Sequence, residues 1–124
     1  MREVDSKELA QAACRALADR RGRDIVKFYV RDKTYHCDYF VIASGSNPAQ
    51  IKAMGEKVEE LISKEYGVDP TRAEGVRDGR WGVIDYGDVI VHIFNDETRL
   101  FYHLERLWTD GENLRKFNEE TGDF

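Results

Sequence analysis

Glycine and serine follow a strongly apolar segment at Gly45-Ser46, and a helical pattern begins directly after them. Free N–H groups at a helix start carry partial positive charge, so such a loop could hold a phosphate. A nucleotidyltransferase would also need two carboxylates, one residue apart on the next strand, to hold two Mg²⁺ ions. No such pair follows, and Asp85 and Asp88 lie three residues apart across a turn. We therefore predict an N-capped turn, with a nucleotide-handling enzyme as the alternative.

Histidine and cysteine give little support for catalysis or metal binding. His36-Cys37-Asp38 contains a nucleophile and a base, but adjacent residues of a strand point to opposite faces. His36, His92 and His103 show no ligand spacing, and Cys14 and Cys37 form no CxxC pair. We predict no catalytic residue, metal site or cofactor, and two free thiols, with a disulfide left open. His92 is expected to be a hydrogen-bonded, half-buried strand residue.

The segment from Trp81 to Phe94 is the most informative part of the chain. Two alternating runs flank Gly87-Asp88, and glycine at the first loop position is typical of a type II′ hairpin turn. Alternation puts Trp81 and Asp85 on one face of the hairpin and Tyr86 on the other. A central hairpin in the core explains the aliphatic residues. Trp and Tyr beside carboxylates are typical of a protein-binding surface.

The remaining patterns supply the elements that must position these residues. The first helix is predicted from Lys7 to Arg21, with Gly22 to end it. The second begins at Pro48 after an Asn47 cap and is ended by Gly67, and the third follows an Asn95 or Asp96 cap. The order α-β-β-α-(β)-β-β-α predicts an α/β protein, with a mixed sheet of about five strands flanked by helices. Residues 1–108 are expected to form one domain and residues 109–124 a polar acidic tail. The predicted strands are Asp24 to Arg31, Asp38 to Ser44, a short edge near Ala73-Glu74, and the two strands of the hairpin.

Composition restricts the class of partner. The 124 residues fit one domain, and 19 basic against 24 acidic side chains give a net charge of −5, which disfavours a general nucleic-acid binder. Residues 81–98 carry four acidic side chains and no basic one, and residues 109–124 carry five acidic and two basic, which suits a basic partner. No apolar run approaches the roughly 20 residues that span a bilayer. The N-terminus has no signal-peptide core, so we expect a cytoplasmic protein without a membrane partner.

Three ordered segments resemble the ribosomal silencing factor, or Iojap-like, family. They read D-Y-F-V-I-A-S-G-S from Asp38 to Ser46, W-G-V-I-D-Y-G-D-V-I-V-H-I-F from Trp81 to Phe94, and F-Y-H-L-E-R-L-W from Phe101 to Trp108. The resemblance implies a nucleotidyltransferase-like fold without transferase activity. It also implies binding to the large ribosomal subunit through ribosomal protein L-fourteen, which blocks joining of the small subunit and represses translation when nutrients are scarce. Family members are often homodimers when free.

The resemblance also implies roles for individual residues of this sequence. It implies partner contacts for Trp81 and Tyr86 as anchors, and pairing of carboxylates with basic side chains of the partner. Gly87 is implied for turn geometry, and Ser46-Asn47-Pro48 departs from the loop of many relatives. A dimeric adaptor for another basic partner is a further alternative. The implied partner-binding residues are Glu74, Trp81, Asp85, Tyr86, Asp88 and His92, and core or dimer packing is expected of Phe101, Leu104, Leu107 and Trp108.

Overall fold

The part of the chain that the structure describes forms three helices and six strands. The computed structural model describes residues 5–31, 37–75, 80–102 and 114–116. The predicted order of elements is confirmed, and one further short strand lies in the segment that was predicted to be a polar tail. In chain order the elements are α1 Ser6–Asp19, β1 Arg23–Tyr29, β2 Tyr39–Gly45, α2 Pro48–Tyr66, β3 Arg72–Glu74, β4 Trp81–Asp85, β5 Val89–Asn95, α3 Asp96–Tyr102 and β6 Leu114–Lys116.

The strands form one mixed sheet in the order β3-β4-β5-β2-β1-β6. Strands β2 and β5 pair in parallel at the centre, and every other neighbouring pair is antiparallel. The parallel pairing requires a crossover between β2 and β5, which α2 and the strands after it supply. Nearly all of β2 is buried, as its run of apolar residues predicted. Because β5 is one of the two central strands, the hairpin of β4 and β5 extends outward from the centre of the sheet.

The two faces of the sheet are covered differently. On the helical face, α1 and α2 cover an aliphatic layer that contains Val41, Val91 and Ile93. The other face carries large rings, and we call it the aromatic face. Its members are Phe28, Phe40, Trp81, His92 and Phe94.

Helix α3 begins where β5 ends and contacts both central strands. Asn95 Oδ1 accepts a hydrogen bond from Thr98 N at 2.7 Å, so Asn95 is the residue that caps this helix. Arg99 then reaches the aromatic face, where its Nη1 donates to Ser44 Oγ at 2.8 Å. None of the described helices is both long and apolar enough to cross a membrane.

The end of α1 differs from the sequence prediction. Gly22 was expected to end the helix, but Arg21 adopts the left-handed conformation at φ +62°. Arg21 N donates to Ala18 O at 2.9 Å and Gly22 N donates to Leu17 O at 2.8 Å, which is a Schellman motif with arginine in the usual glycine position. Gly22 is favoured by close packing instead, because a Cβ there would lie 2.9 Å from the backbone oxygen of Leu17.

Gly45 also has a packing role, and this gives a test. A Cβ on Gly45 would lie 2.6 Å from Ile51 Cγ1, inside the junction of β2 and α2. We expect Gly45→Ala to lower the free energy of unfolding by about 1–3 kcal/mol, as overpacking does, measured by urea denaturation. The neighbouring exposed change Ser46→Ala should stay within about 0.5 kcal/mol of the wild type. Equal stability of the two variants would contradict the packing role.

Candidate functional site

Most of the residues implied as partner contacts lie on one face of three adjacent strands. In the antiparallel register Trp81 is opposite Phe94, and Asp85 is opposite Ile90. Strand β3 pairs with the other side of β4 and places Glu74 opposite Val83. Directly opposite residues share a face of the sheet. The structure therefore places Glu74, Trp81 and Asp85 on the aromatic face along one margin of the sheet, which we call the aromatic margin.

Trp81 is half-buried and held by specific contacts. Its Nε1 donates a hydrogen bond to His92 Nδ1 at 3.1 Å. Its ring stacks on Phe94 with a centroid separation of 5.1 Å. Phe40 meets the His92 ring edge-on at 5.4 Å, so the supporting rings reach across to β2. The indole is thus fixed in place before any partner arrives.

His92 supports Trp81 from within the sheet. The expected hydrogen bond and strand position are confirmed, but the residue is buried rather than half-buried. Only 8% of it is exposed, which leaves little surface for direct contact with a partner. Burial lowers the pKa of the imidazole from 6.5 to about 4, while the Asp85 carboxylate acts in the opposite direction. At neutral pH the ring is therefore uncharged. Because the indole N–H is only a donor, Nδ1 of His92 must carry a lone pair.

The hairpin turn presents its acidic side chains from a fixed backbone. Gly87 has a φ of +89°, the positive value that its place at the first loop position predicted. Asp85 Oδ1 accepts from Gly87 N at 2.8 Å, and Tyr86 N donates to Val89 O at 2.9 Å. The Asp88 carbonyl accepts hydrogen bonds from Asp38 N at 2.7 Å and from Tyr39 N, at the start of β2, at 3.1 Å. The Asp88 side chain itself is exposed.

Negative charge collects at this end of the sheet. Burial raises the pKa of the Cys37 thiol, and together with smaller contributions from the carboxylates of Asp38, Asp85 and Asp88 it brings this pKa to about 11. Arg31 donates to Asp38 and thereby lowers the pKa of that carboxyl. Cys37 is thus a neutral thiol at physiological pH, not an activated nucleophile. The described residues contain no cluster of three or more His, Cys, Asp or Glu side chains suited to a metal ion.

Tyr86 is separated from the other proposed contacts. It packs against the core of the helical face, and burial raises the pKa of its phenol, with smaller contributions from Glu59 and Asp69. Its Oη is buried and has no hydrogen-bond partner among the residues that the structure describes. Tyr86 therefore does not share a surface with Trp81. Of the predicted packing residues, Phe101 lies in α3, whereas Leu104, Leu107 and Trp108 lie outside the described residues.

The backbone groups of the Gly45-Ser46 loop are used within the chain. Ser46 N donates to Gln50 Oε1 at 2.6 Å, and Gln50 N donates to Asn47 Oδ1 at 2.8 Å. Asn47 is thus the helix cap, as predicted. The Gln50 amide also donates to Arg21 O at 2.9 Å, which ties α2 to the end of α1. This geometry supports a capped turn and gives no support to a phosphate site.

Two contributors were not predicted from the sequence. Phe94 stacks under Trp81, and the two-residue turn already contained the signal, because counting outward from Gly87-Asp88 pairs Trp81 with Phe94. Gln50 follows an N-cap by three residues, which is a capping-box spacing. Both could have been inferred from local spacing alone.

Comparisons with known proteins agree on one family. A family model described as "Ribosomal silencing factor during starvation" matches residues 3–123. Ribosomal silencing factor RsfS of Halalkalibacterium halodurans is 33% identical over 111 residues, covering 90% of this chain and 94% of that protein. RsfS of Bacillus subtilis is 32% identical over 107 residues, covering 86% and 90%. A crystal structure of a protein from Chromobacterium violaceum has a TM-score of 0.82 and 31% identity, covering 85% of this chain and 87% of that one.

The lowered pKa of His92 predicts a pH-dependent stability. The folded protein binds a proton at His92 near pH 4, whereas the unfolded chain binds it near pH 6.5. The free energy of unfolding should therefore fall by about 3 kcal/mol as the pH drops from 7.5 to 4, through this group alone. His92→Asn removes the titrating group, and urea titrations of both proteins isolate the difference. Parallel pH profiles of wild type and variant would contradict this prediction.

Proposed function

The chain belongs to the ribosomal silencing factor family, and from this premise we propose that it binds the large ribosomal subunit through ribosomal protein L-fourteen. The bound protein would keep the small subunit from joining and so repress translation when nutrients are scarce. The family comprises regulatory proteins rather than enzymes. We expect the action to take place in the cytoplasm, with no cofactor.

The proposal rests mainly on the residues of the aromatic margin. It combines the fixed indole of Trp81 with the carboxylates of Glu74 and Asp85, and Asp88 projects from the adjoining turn. Residues 81–98 contain no Lys or Arg. Trp81 lies at one end of β4 and the carboxylates lie toward the turn, with Arg72 opposite Asp85 as a basic side chain on the same margin. An aromatic anchor beside several carboxylates is suited to a protein surface that carries Lys and Arg. RNA phosphates near such a partner would repel this acidic surface if it docked at the wrong place.

Each proposed contact has a distinct physical role. Trp81 would supply most of the affinity, because buried aromatic anchors dominate interface energies. Asp85 and Asp88 would pair with basic side chains. Glu74 already contacts Arg72 at 3.7 Å, but both side chains are largely exposed, so this weak pair can exchange for the partner.

Other residues of the resemblance take supporting roles in the proposal. Tyr86 would pack the turn against the helical face, and Gly87 would shape the turn. His92 would act behind Trp81 rather than at the contact surface. Phe101 at the end of α3 would pack in the core or in a homodimer of the free protein, together with Leu104, Leu107 and Trp108.

The proposed mechanism is steric occlusion. No bond is made or broken, so the protein needs only to occupy a surface that the small subunit also uses. Inhibition would then follow the concentration of the factor relative to its dissociation constant. An acidic contact surface would also make association faster at low ionic strength.

Two substitutions in the margin test the binding site. We expect the double variant Trp81→Ala, Asp88→Lys to bind purified large ribosomal subunits at least about 30-fold more weakly, because it removes the anchor and reverses a charge. Co-sedimentation over a concentration series measures this change. Light scattering by purified subunits should show a matching loss of the inhibition of subunit joining.

A matched charge reversal serves as the control. Glu56 is exposed on α2, on the other side of the sheet, so Glu56→Lys should leave binding unchanged. Circular dichroism must show that each variant is folded. Normal binding by the folded double variant would exclude this surface. Normal subunit joining in the presence of bound protein would exclude occlusion, and a lysate pull-down without ribosomal protein would favour an adaptor for another partner.

A further inference from the structure

The side-chain hydrogen bond between Trp81 and His92 joins an outer and an inner residue of the aromatic face. Trp81 is half-buried on β4, whereas His92 is buried on β5 and lies diagonally across the ladder, next to Phe94. The indole ring rests on Phe94 at 5.1 Å, and the imidazole and Phe94 rings are nearly parallel at 6.0 Å. Stacking fixes the plane of the indole, but stacking alone does not decide which edge of the indole faces inward.

The direction of the indole is decided by the hydrogen bond. A half-buried indole N–H without an acceptor loses free energy, so the rotamer that reaches His92 Nδ1 at 3.1 Å is favoured. The acceptor is available only in the neutral tautomer in which Nδ1 is unprotonated. Phenylalanine would preserve the ring contacts with Phe40 and Phe94 but would offer no acceptor.

We propose that His92 is a positioning residue, which accepts the indole N–H of Trp81 and so holds this anchor in the orientation that the partner contacts. The inference rests on the proposed function of the aromatic margin. It assigns His92 a role distinct from the direct contact that the family resemblance implied. Because the N–H is donated inward, the partner meets the carbon edge and ring of the indole. An aliphatic side chain, or the stem and cation of Arg or Lys, fits that surface.

Loss of the acceptor should weaken partner binding as well as lower the stability of the fold. A freed indole would sample other rotamers and would have to be ordered again when the partner binds. Ordering one such side chain weakens association roughly two- to tenfold. Restoring an acceptor near the position of Nδ1 should restore the affinity, which a purely structural role of the histidine ring would not do.

Three proteins test the proposal: wild type, His92→Phe and His92→Asn. The first measurement uses free protein, whose two tryptophans give two indole N–H signals in a ¹⁵N-labelled NMR spectrum. Trp81→Phe assigns the signals, and Trp108 serves as an internal reference. We expect the Trp81 N–H signal to shift and to exchange faster with solvent in H92F, and to remain near its wild-type position in H92N. The second measurement is binding to purified large subunits, expected to weaken roughly two- to tenfold in H92F and to recover in H92N.

The two measurements separate the inference from the function on which it rests. An unchanged Trp81 signal in folded H92F would overturn the positioning role, whatever the binding result. Equal loss of binding in H92F and H92N, despite a restored signal in H92N, would also overturn it. If the wild type itself does not bind large subunits, the proposed function fails, and the NMR comparison still decides whether His92 orients Trp81. Should H92F fail to fold, H92L provides the variant without an acceptor.

Discussion

The register between β4 and β5 is the constraint on which the candidate site depends. A two-residue turn with a positive φ at Gly87 leaves a single pairing of the strands, in which Trp81 lies beside Phe94. A shift of one residue would move the indole and Asp85 to the helical face. The backbone bonds from the start of β2 to the Asp88 carbonyl then fix the turn relative to the parallel centre of the sheet.

The two faces of the sheet differ in how completely they are covered, and this difference relates to stability on one face and to the proposed recognition on the other. The helical face is aliphatic and closed by α1 and α2, so it supplies much of the burial that stabilises the fold. The aromatic face passes from a fully buried centre at Phe94 to a half-exposed margin at Trp81. An anchor at such a margin is rigid because its base is buried, yet it retains surface for a partner. This gradient explains why recognition is proposed at Trp81 and not at Tyr86, which packs on the closed face.

Local signals predicted a large part of the structure. The Asn47 cap, the left-handed Gly67 at the end of α2 and the positive φ of Gly87 each follow from short-range chemistry. The end of α1 was less predictable, because Arg21 adopts the left-handed conformation that usually favours glycine, while Gly22 lies close to the backbone of Leu17. Strand β6 was not predicted either. It pairs with β1 through backbone groups, and its short charged segment shows no alternation of apolar residues that would indicate a strand.

Residue types and short-range spacing were enough to predict the order of elements, the hairpin turn, the concentration of negative charge and the family. These properties depend on residue type and on neighbours a few positions away, which the chain records directly. Long-range packing settled the rest. It determined that α1 and α2 cover the face that carries Tyr86 and not the face that carries Trp81, that His92 is a buried acceptor, and that Gln50 ties α2 to the end of α1. Those outcomes depend on which face the helices cover and on how α2 packs against the end of α1, and distant parts of the chain settle both.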